Sequence, residues 1–221
     1  NWATFSDSLM ACRDNLGVNI TIGLLIIFGG LGFLVLSQIV MPVHRRRRKT
    51  LAALHTRVVL ILSAGLILIG SIFMLLSEYL SVRGASHGPA LDVLSSLFQS
   101  ISARTAGFNT VDLTLLSPAA IMILIALMFI GASPGSTGGG IKTTTLGVLV
   151  AYFRSRLKGQ ENICIHYRQV NPRDVEKAFF VVILSFLTVT ASFFLLLVLQ
   201  PELSPFRLLF EAVSAFGTVG L

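Results

Sequence analysis

The chain has 221 residues, of which 54% are hydrophobic and only 12% carry a formal charge, and its net charge is +7. Soluble domains carry roughly 25% charged residues, so this composition excludes an ordinary soluble protein and indicates a membrane protein. The basic residues cluster in 44–57 and 154–177, beside apolar runs. Such clusters are typical of cytoplasmic loops, so we expect no nucleic-acid partner.

Four apolar runs are long enough to cross a bilayer, which takes about 20 helical residues. They cover residues 16–41, 58–80, 118–153 and 178–200. With the two basic segments placed in the cytoplasm, the four spans alternate in direction. We therefore predict an all-α, multi-pass membrane protein in contact with membrane lipid.

A segment too polar to span, LFQSISARTAGFN at 97–109, follows the second run, and a shortened echo, LFEAVSAFGTVGL, occupies 209–221. Each pattern indicates a short amphipathic helix, then a Thr-x-Gly turn and a large apolar residue. Helix starts are predicted at Pro89, at Ser117-Pro118 and at Ser204-Pro205, because Pro is favoured at the first helical position and Ser as the cap before it. The repeat therefore predicts the order span, re-entrant helix, turn, span.

The two turns are the candidate binding site. Non-helical backbone at membrane depth is tolerated only where it is buried in protein or lines a watery path, and carbonyls there can replace the hydration shell of a cation. We therefore predict a cation path, with a surface loop of a soluble protein as the alternative. The turns consist of Thr105, Ala106, Gly107 and Phe108, and of Thr218, Val219, Gly220 and Leu221.

The third apolar run is predicted to be broken. One helix over residues 118–152 would be about 52 Å long, against about 30 Å of hydrocarbon. Glycines and Pro134 at 131–140 oppose a helix there. Lys142 follows, and two interpretations stay open for it: a functional residue at membrane depth, or a side chain that extends to the cytoplasmic interface.

The same stretch suggests a nucleotide-binding alternative that the sequence disfavours. Residues 135–143 nearly match the phosphate-binding pattern G-x-x-x-x-G-K-[ST], but Ile141 intrudes between Gly140 and Lys142. The apolar run that precedes them does not resemble the strand that a phosphate-binding loop follows. An ATPase is therefore a remote possibility, and no catalytic constellation indicates an enzyme.

Three charged residues near the turns have open roles. Asp112 is either an acid that draws cations to a vestibule or an ordinary loop residue. Arg104 fixes the backbone of the turn, repels cations or pairs with a nearby carboxylate, and the last is favoured. Glu211 is either an acid at the mouth of the path or the partner of a pore-helix arginine, with the partner role favoured because a buried carboxylate needs one.

The segments SARTAGFNTVDL, GASPGSTGGGIKTTTLGVL and LFEAVSAFGTVGL resemble the Trk/Ktr/HKT superfamily of potassium transporters, above all the KtrB-type membrane subunit of bacterial Ktr systems. Members fold as four tandem M1–P-loop–M2 repeats around one pore. The resemblance implies the end of the second repeat with a basic linker at 1–56, the third repeat at 57–176 and the start of the fourth at 177–221. We therefore expect a C-terminal portion of a longer protein. The resemblance also implies a place in the plasma membrane, the inner membrane of a bacterium.

The resemblance also implies function, ions and partners. The two turns would be two of four filter strands whose backbone carbonyls bind potassium, and sodium would be an activator, with no nucleotide on this chain. Partners would be a second copy in a homodimer and a cytosolic, nucleotide-binding KtrA-type subunit. A secondary transporter of another solute, built on discontinuous helices, is the alternative. The residues similar to the family's gate loop are Ser133, Pro134, Gly135, Ser136, Thr137, Gly138, Gly139, Gly140 and Lys142.

Overall fold

A computed structural model describes residues 8–40, 46–82, 91–160, 162–165 and 168–221. The fold of this part is helical, as predicted, apart from a pair of two-residue antiparallel strands, β1 (Cys164–Ile165) and β2 (Arg168–Gln169). The helices are α1 (Leu16–Leu31), α2 (Phe33–Val40), α3 (Arg46–Val82), α4 (Val93–Ser102), α5 (Pro118–Phe129), α6 (Thr143–Leu157), α7 (Pro172–Leu199) and α8 (Pro205–Gly217).

Two of the helices are long and apolar enough to cross a membrane: α7, and α3 over its segment Leu54–Ser81. They correspond to the second and fourth predicted spans. α3 has 37 residues and continues back to Arg46. The expected boundary between residues 56 and 57 therefore falls inside one continuous helix.

The first predicted span is not one straight helix. α1 and α2 pass the same test together but are bent by 102° at the break between them. Gly32 lies at the bend with a φ of +81°, and a side-chain carbon there would lie 2.5 Å from the carbonyl oxygen of Pro134. The chain bends here because glycine leaves room for another segment to pack against its backbone.

The third span is broken, as the sequence predicts. α5 begins at Pro118, where the Ser117 hydroxyl accepts a hydrogen bond from the Ala120 N–H at 3.2 Å. It ends after 12 residues. Residues 130–142 then form a non-helical segment, here called the glycine-rich loop, before α6 begins at Thr143.

The two short helices α4 and α8 have 10 and 13 residues, too few to span a bilayer. α8 begins at Ser204-Pro205, which confirms its predicted start. α4 begins at Val93, capped by Asp92, and not at Pro89, which lies outside the described residues. A carboxylate cap on the N–H of the third residue replaced the proline start expected there.

The last long helix also begins earlier than predicted. Asn171, inside the basic segment 154–177, is the N-terminal cap of α7, and Pro172 is its first residue. The side-chain oxygen of Asn171 accepts a hydrogen bond from the Arg173 N–H at 3.0 Å. The outer surface of α7 is apolar, with Phe180, Phe186 and Phe194 each more than 60% exposed. Such a surface is typical of contact with lipid or with another apolar helix.

Helix packing connects the two short helices through α3 and α5. α3 packs on α4 and α5, α7 packs on α6 and α8, and α5 packs on α8. The main core contains the fully buried Met74, Leu124 and Met128. The rings of Phe129 and Phe216 also meet, with centroids 5.7 Å apart. The C-terminal ends of α4 and α8 are thereby held to the same core.

Candidate functional site

The two Thr-x-Gly turns follow directly from the C-terminal ends of α4 and α8. The C-terminal end of an α-helix carries roughly half a negative charge, so both turns lie where a cation is favoured. α4 is held by its capping residue Asp92, whose carboxylate accepts from the Ser95 N–H at 2.7 Å. α8 is held by Ser204, whose hydroxyl accepts from the Arg207 N–H at 3.4 Å.

Both turns have the same alternating backbone. φ is +82° at Thr105 and +73° at Gly107, and it is +54° at Thr218 and +80° at Gly220. The residue between each pair does not share the positive sign. Successive residues of a regular strand face opposite sides, so reversing φ at every second residue turns neighbouring carbonyls toward the same side. A β-branched residue at positive φ costs about 1–3 kcal/mol, and such strain clusters at functional sites.

The turns lie against each other. A side-chain carbon built on Gly107 would be 3.0 Å from the carbonyl carbon of Val219 and 3.1 Å from that of Gly220, and would collide with the Val219 carbonyl oxygen. Only glycine fits between them. A shared ion path requires this adjacency, whereas ion binding by the turn carbonyls stays a prediction.

The glycine-rich loop packs against both turns. The Gly139 N–H donates to the Thr218 hydroxyl at 2.7 Å, and the Gly140 N–H donates to the Phe216 carbonyl at 3.3 Å. A side-chain carbon on Gly138 would lie 2.6 Å from the Thr105 hydroxyl oxygen. The loop therefore contacts the threonine at which each turn begins.

The opposite side of the loop is fixed to the α1–α2 bend. The Ser133 N–H donates to the Gly30 carbonyl at 3.0 Å, and the Phe33 N–H donates to the Gly135 carbonyl at 3.1 Å. Helix ends leave such groups without partners inside the helix. The bend at Gly32 therefore supplies the groups that bind the loop, which gives this unexpected break a role in the site.

Lys142 bonds back onto the loop. Its Nζ donates to the Gly138 carbonyl at 2.5 Å, and the side chain is half-buried. The neighbouring Thr143 hydroxyl lies 3.1 Å from the Ser133 hydroxyl oxygen. Lys142 thus binds the backbone of the loop, which supports the functional interpretation of this residue. The segment before the loop is the helix α5, not the strand that a phosphate-binding loop follows, which removes the nucleotide alternative.

Arg104 anchors the first turn to α3. The residue is 7% exposed, and its Nη1 and Nη2 donate to the carbonyl and the hydroxyl of Ser63 at 3.4 and 3.2 Å. Throughout the described ranges, no carboxylate pairs with it, so the favoured role as a carboxylate partner is wrong. The guanidinium instead holds the residue before Thr105 against α3, which is the backbone-fixing role.

Glu211 and Asp112 lie apart from Arg104. Glu211 is exposed on α8, so its favoured role as the partner of a pore-helix arginine is wrong for Arg104. Asp112 is exposed and caps a short turn, accepting from the Thr114 hydroxyl and N–H at 2.7 and 2.9 Å. These two hydrogen bonds lower the pKa of Asp112, so the group stays charged below neutral pH. This geometry supports the loop role without removing the vestibule role.

Two residues beside the turns were not predicted from the sequence. Ser102 and Ser214 are buried in α4 and α8, and each hydroxyl reaches across the turn that follows. The signal for them was the repeated Ser-Ala pair in the two segments. In the part of the chain with described side chains, no three His, Cys, Asp or Glu residues form a metal site.

Comparisons with known proteins point to one family. The family model described as TrkH, cation transport protein, matches residues 2–221. The Ktr system potassium uptake protein B of Vibrio alginolyticus is 38% identical over 221 residues, which are 100% of this chain and 48% of that protein. The potassium/sodium uptake protein NtpJ of Enterococcus hirae is 34% identical over 221 residues, covering 97% of this chain and 48% of that protein.

The crystal structure of the potassium transporter TrkH from Vibrio parahaemolyticus has the same fold, with a TM-score of 0.68 at 17% identity. The match covers 100% of this chain and 53% of that one. The chain spans about half the length of the curated relatives it matches. These relatives are ion transporters, not enzymes. Because the family model matches nearly every residue, the chain belongs to the TrkH family of cation transport proteins.

Proposed function

We propose that this chain supplies two of the ion-binding turns of a potassium-translocating path, and that the glycine-rich loop is the gate of that path. One observation carries the proposal: the two Thr-x-Gly turns lie against each other, and the loop contacts the threonine of each. The chain is part of a transporter in a bacterial plasma membrane. The names of its relatives, which describe potassium uptake, support this choice of ion.

Ion selection uses the backbone of the turns. Potassium sheds water as backbone carbonyls of the two Thr-x-Gly turns replace its hydration shell. The alternating φ signs support this role because they turn neighbouring carbonyls toward one side. The helix ends of α4 and α8 add negative potential at the same place. The membrane potential then drives the ion inward with about 2.3 kcal/mol per charge per 100 mV.

Gating uses the loop at residues 133–140 and Lys142. The loop is bound to α8 through Gly139 and Gly140, and to the α1–α2 bend through Ser133 and Gly135. Because only a few hydrogen bonds hold the loop on each side, it can be either bound to the turns or released from them. Release of the loop from the turns opens the path, and its return closes the path.

Regulation follows from the Ktr resemblance. The transporter is a homodimer, and a cytosolic nucleotide-binding subunit of the KtrA type docks on the cytoplasmic face. The basic segments 44–57 and 154–177 are the contact surface on this side. Sodium acts as an activator, and the name of one relative, the potassium/sodium uptake protein NtpJ, includes sodium. No nucleotide binds to this chain itself.

The experiment that tests the proposal compares Gly220→Ser with the parent in bacteria that lack other potassium uptake systems. Gly220 has a φ of +80°, so a side chain there strains the turn and moves its carbonyls. We expect the potassium-over-sodium preference to fall by about tenfold. A loss of about 1.4 kcal/mol in the coordination of potassium relative to sodium is enough to change that preference tenfold. Gly65→Ala is the matched control, since a side-chain carbon there meets no atom within 4 Å. An unchanged ion preference in Gly220→Ser contradicts the proposal.

A further inference from the structure

The two pore helices carry a serine at the same place. Counted from the Leu-Phe pair of each helix, Ser102 follows Phe98 by four residues and Ser214 follows Phe210 by four. Ser102 is fully buried and Ser214 is 3% exposed. A buried hydroxyl without a hydrogen-bond partner costs free energy, so buried hydroxyls are almost always bonded. The partner of each serine therefore indicates the role of that serine.

Each hydroxyl reaches the residue immediately after the glycine of its turn. Ser102 Oγ donates to the Phe108 carbonyl at 2.5 Å. Ser214 Oγ accepts from the Gly220 N–H at 3.1 Å and donates to the Leu221 carbonyl at 3.5 Å. The hydroxyls therefore close both turns back onto their helices.

The agreement between the repeats is not a consequence of equal spacing. One additional residue separates Ser214 from Thr218, compared with the interval from Ser102 to Thr105. Both hydroxyls nevertheless bind the carbonyl three residues beyond the threonine. The main-chain carbonyls agree as well: that of Ser102 accepts from the Ala106 N–H at 3.0 Å, and that of Ser214 accepts from the Val219 N–H at 2.9 Å.

We propose that Ser102 and Ser214 are positioning residues that hold the Phe108 and Leu221 carbonyls toward the pore helices, so that each row of ion-binding carbonyls ends at its glycine. This inference rests on the proposed function and narrows it. Phe108 and Leu221 belong to the turns but do not coordinate the ion. The number and field strength of the coordinating carbonyls set the preference for potassium over sodium, so the two hydroxyls set it indirectly.

The test measures ion preference in Ser102→Ala and Ser214→Ala. Without the hydroxyl, the freed carbonyl turns toward the path and adds a ligand at its outer end. We expect the potassium-over-sodium preference of each variant to fall by about tenfold, the order of effect of one buried hydrogen bond. The amount of protein in the membrane is measured in parallel, and the two sites provide independent variants should one fail to accumulate.

Ser100→Ala is the matched control. Ser100 is fully buried in the same helix, but its hydroxyl donates to the Ile67 carbonyl of α3 at 2.9 Å and does not reach the turn. We expect its ion preference to stay within about twofold of the parent, because it loses a hydrogen bond of the same kind elsewhere. An equal fall in Ser100→Ala would overturn the inference, since general loosening of α4 would then explain the effect.

The inference and the proposed function fail in different ways. A parent that prefers potassium, together with serine variants that keep that preference, overturns the inference alone. A parent that takes up no potassium contradicts the proposed function and the inference with it. Reduced preference in both serine variants with an unaffected Ser100→Ala supports both.

Discussion

The backbone N–H of Gly139 donates to the Thr218 hydroxyl at 2.7 Å, which joins the glycine-rich loop to the second Thr-x-Gly turn. The two residues are 79 positions apart in the sequence. Thr218 also has the strained φ of +54°, so a single residue combines the unusual turn backbone with the bond to the loop. The loop cannot move away from the turn without breaking this hydrogen bond, which couples gate and filter in the proposed path.

Replacing Lys142 by Met should increase basal potassium uptake. The change removes the hydrogen bond from Nζ to the Gly138 carbonyl, which holds the loop folded on itself. A hydrogen bond from a charged group contributes roughly 1.5–3 kcal/mol, so we expect uptake to rise by about tenfold. Potassium uptake into depleted cells measures this. Arg207→Met is the control, because Arg207 is an exposed cation on α8 that lies outside the glycine-rich loop and outside both basic segments. Equal uptake in the two variants would refute the role of Lys142.

Replacing Gly138 by Ala should also release the loop. The new side-chain carbon would lie 2.6 Å from the Thr105 hydroxyl oxygen and 2.7 Å from the Ala132 side chain, so the loop must move away from the first turn. Deletion of part of 133–139 acts in the same direction. We expect a higher basal flux in both, measured with reconstituted vesicles. Gly65→Ala meets no atom within 4 Å and should leave flux unchanged. No increase in flux in the deletion would remove the gate assignment.

Replacing Gly107 by Ala should abolish the normal ion preference. Gly107 has a φ of +73°, and a side-chain carbon there would collide with the Val219 carbonyl oxygen of the adjacent turn. The two turns must separate, which changes the distance between their carbonyls. Competition of sodium and rubidium with potassium uptake measures the outcome. Gly29→Ala, with open space around it, is the control. If Gly107→Ala keeps the parent's preference for potassium, the two turns do not bind the same ion.

Replacing Glu78 by Ala should destabilise the fold without a direct effect on ions. Glu78 is 3% exposed, and its Oε1 accepts from the Ser117 N–H at 2.7 Å, at the start of α5. Loss of a buried acceptor costs about 1–3 kcal/mol, which lowers the unfolding temperature in detergent. Glu78→Gln keeps an acceptor and should cost less. Glu202→Ala, at an exposed position before α8, should not change the unfolding temperature.

Local signals predicted the helix starts and the broken span. Ser117-Pro118 and Ser204-Pro205 combine a capping side chain with a proline, and both begin helices as expected. The glycines and Pro134 of residues 131–140 also gave a correct break, because they oppose a helix whatever surrounds them. These features depend on a few neighbouring residues, which the sequence displays directly.

Features set by distant residues were not predictable. Gly32 resembles the other small residues of its apolar run, and only its contact with Pro134 explains the bend. Arg104 binds Ser63, 41 positions away, in place of the expected carboxylate. The hydrogen bond from Lys142 to the Gly138 carbonyl could not be predicted from the sequence either. Each outcome depends on how helices pack, and no local pattern encodes it.

The most direct test is anomalous diffraction from crystals of the transporter grown with thallium or rubidium ions in place of potassium. We expect an anomalous peak beside the two turns, within coordination distance of the Gly107 and Gly220 carbonyls and on the far side of Thr105 and Thr218 from the glycine-rich loop. Absence of a peak between the turns, with well-ordered ions elsewhere in the protein, would contradict the claim that these turns bind the transported ion.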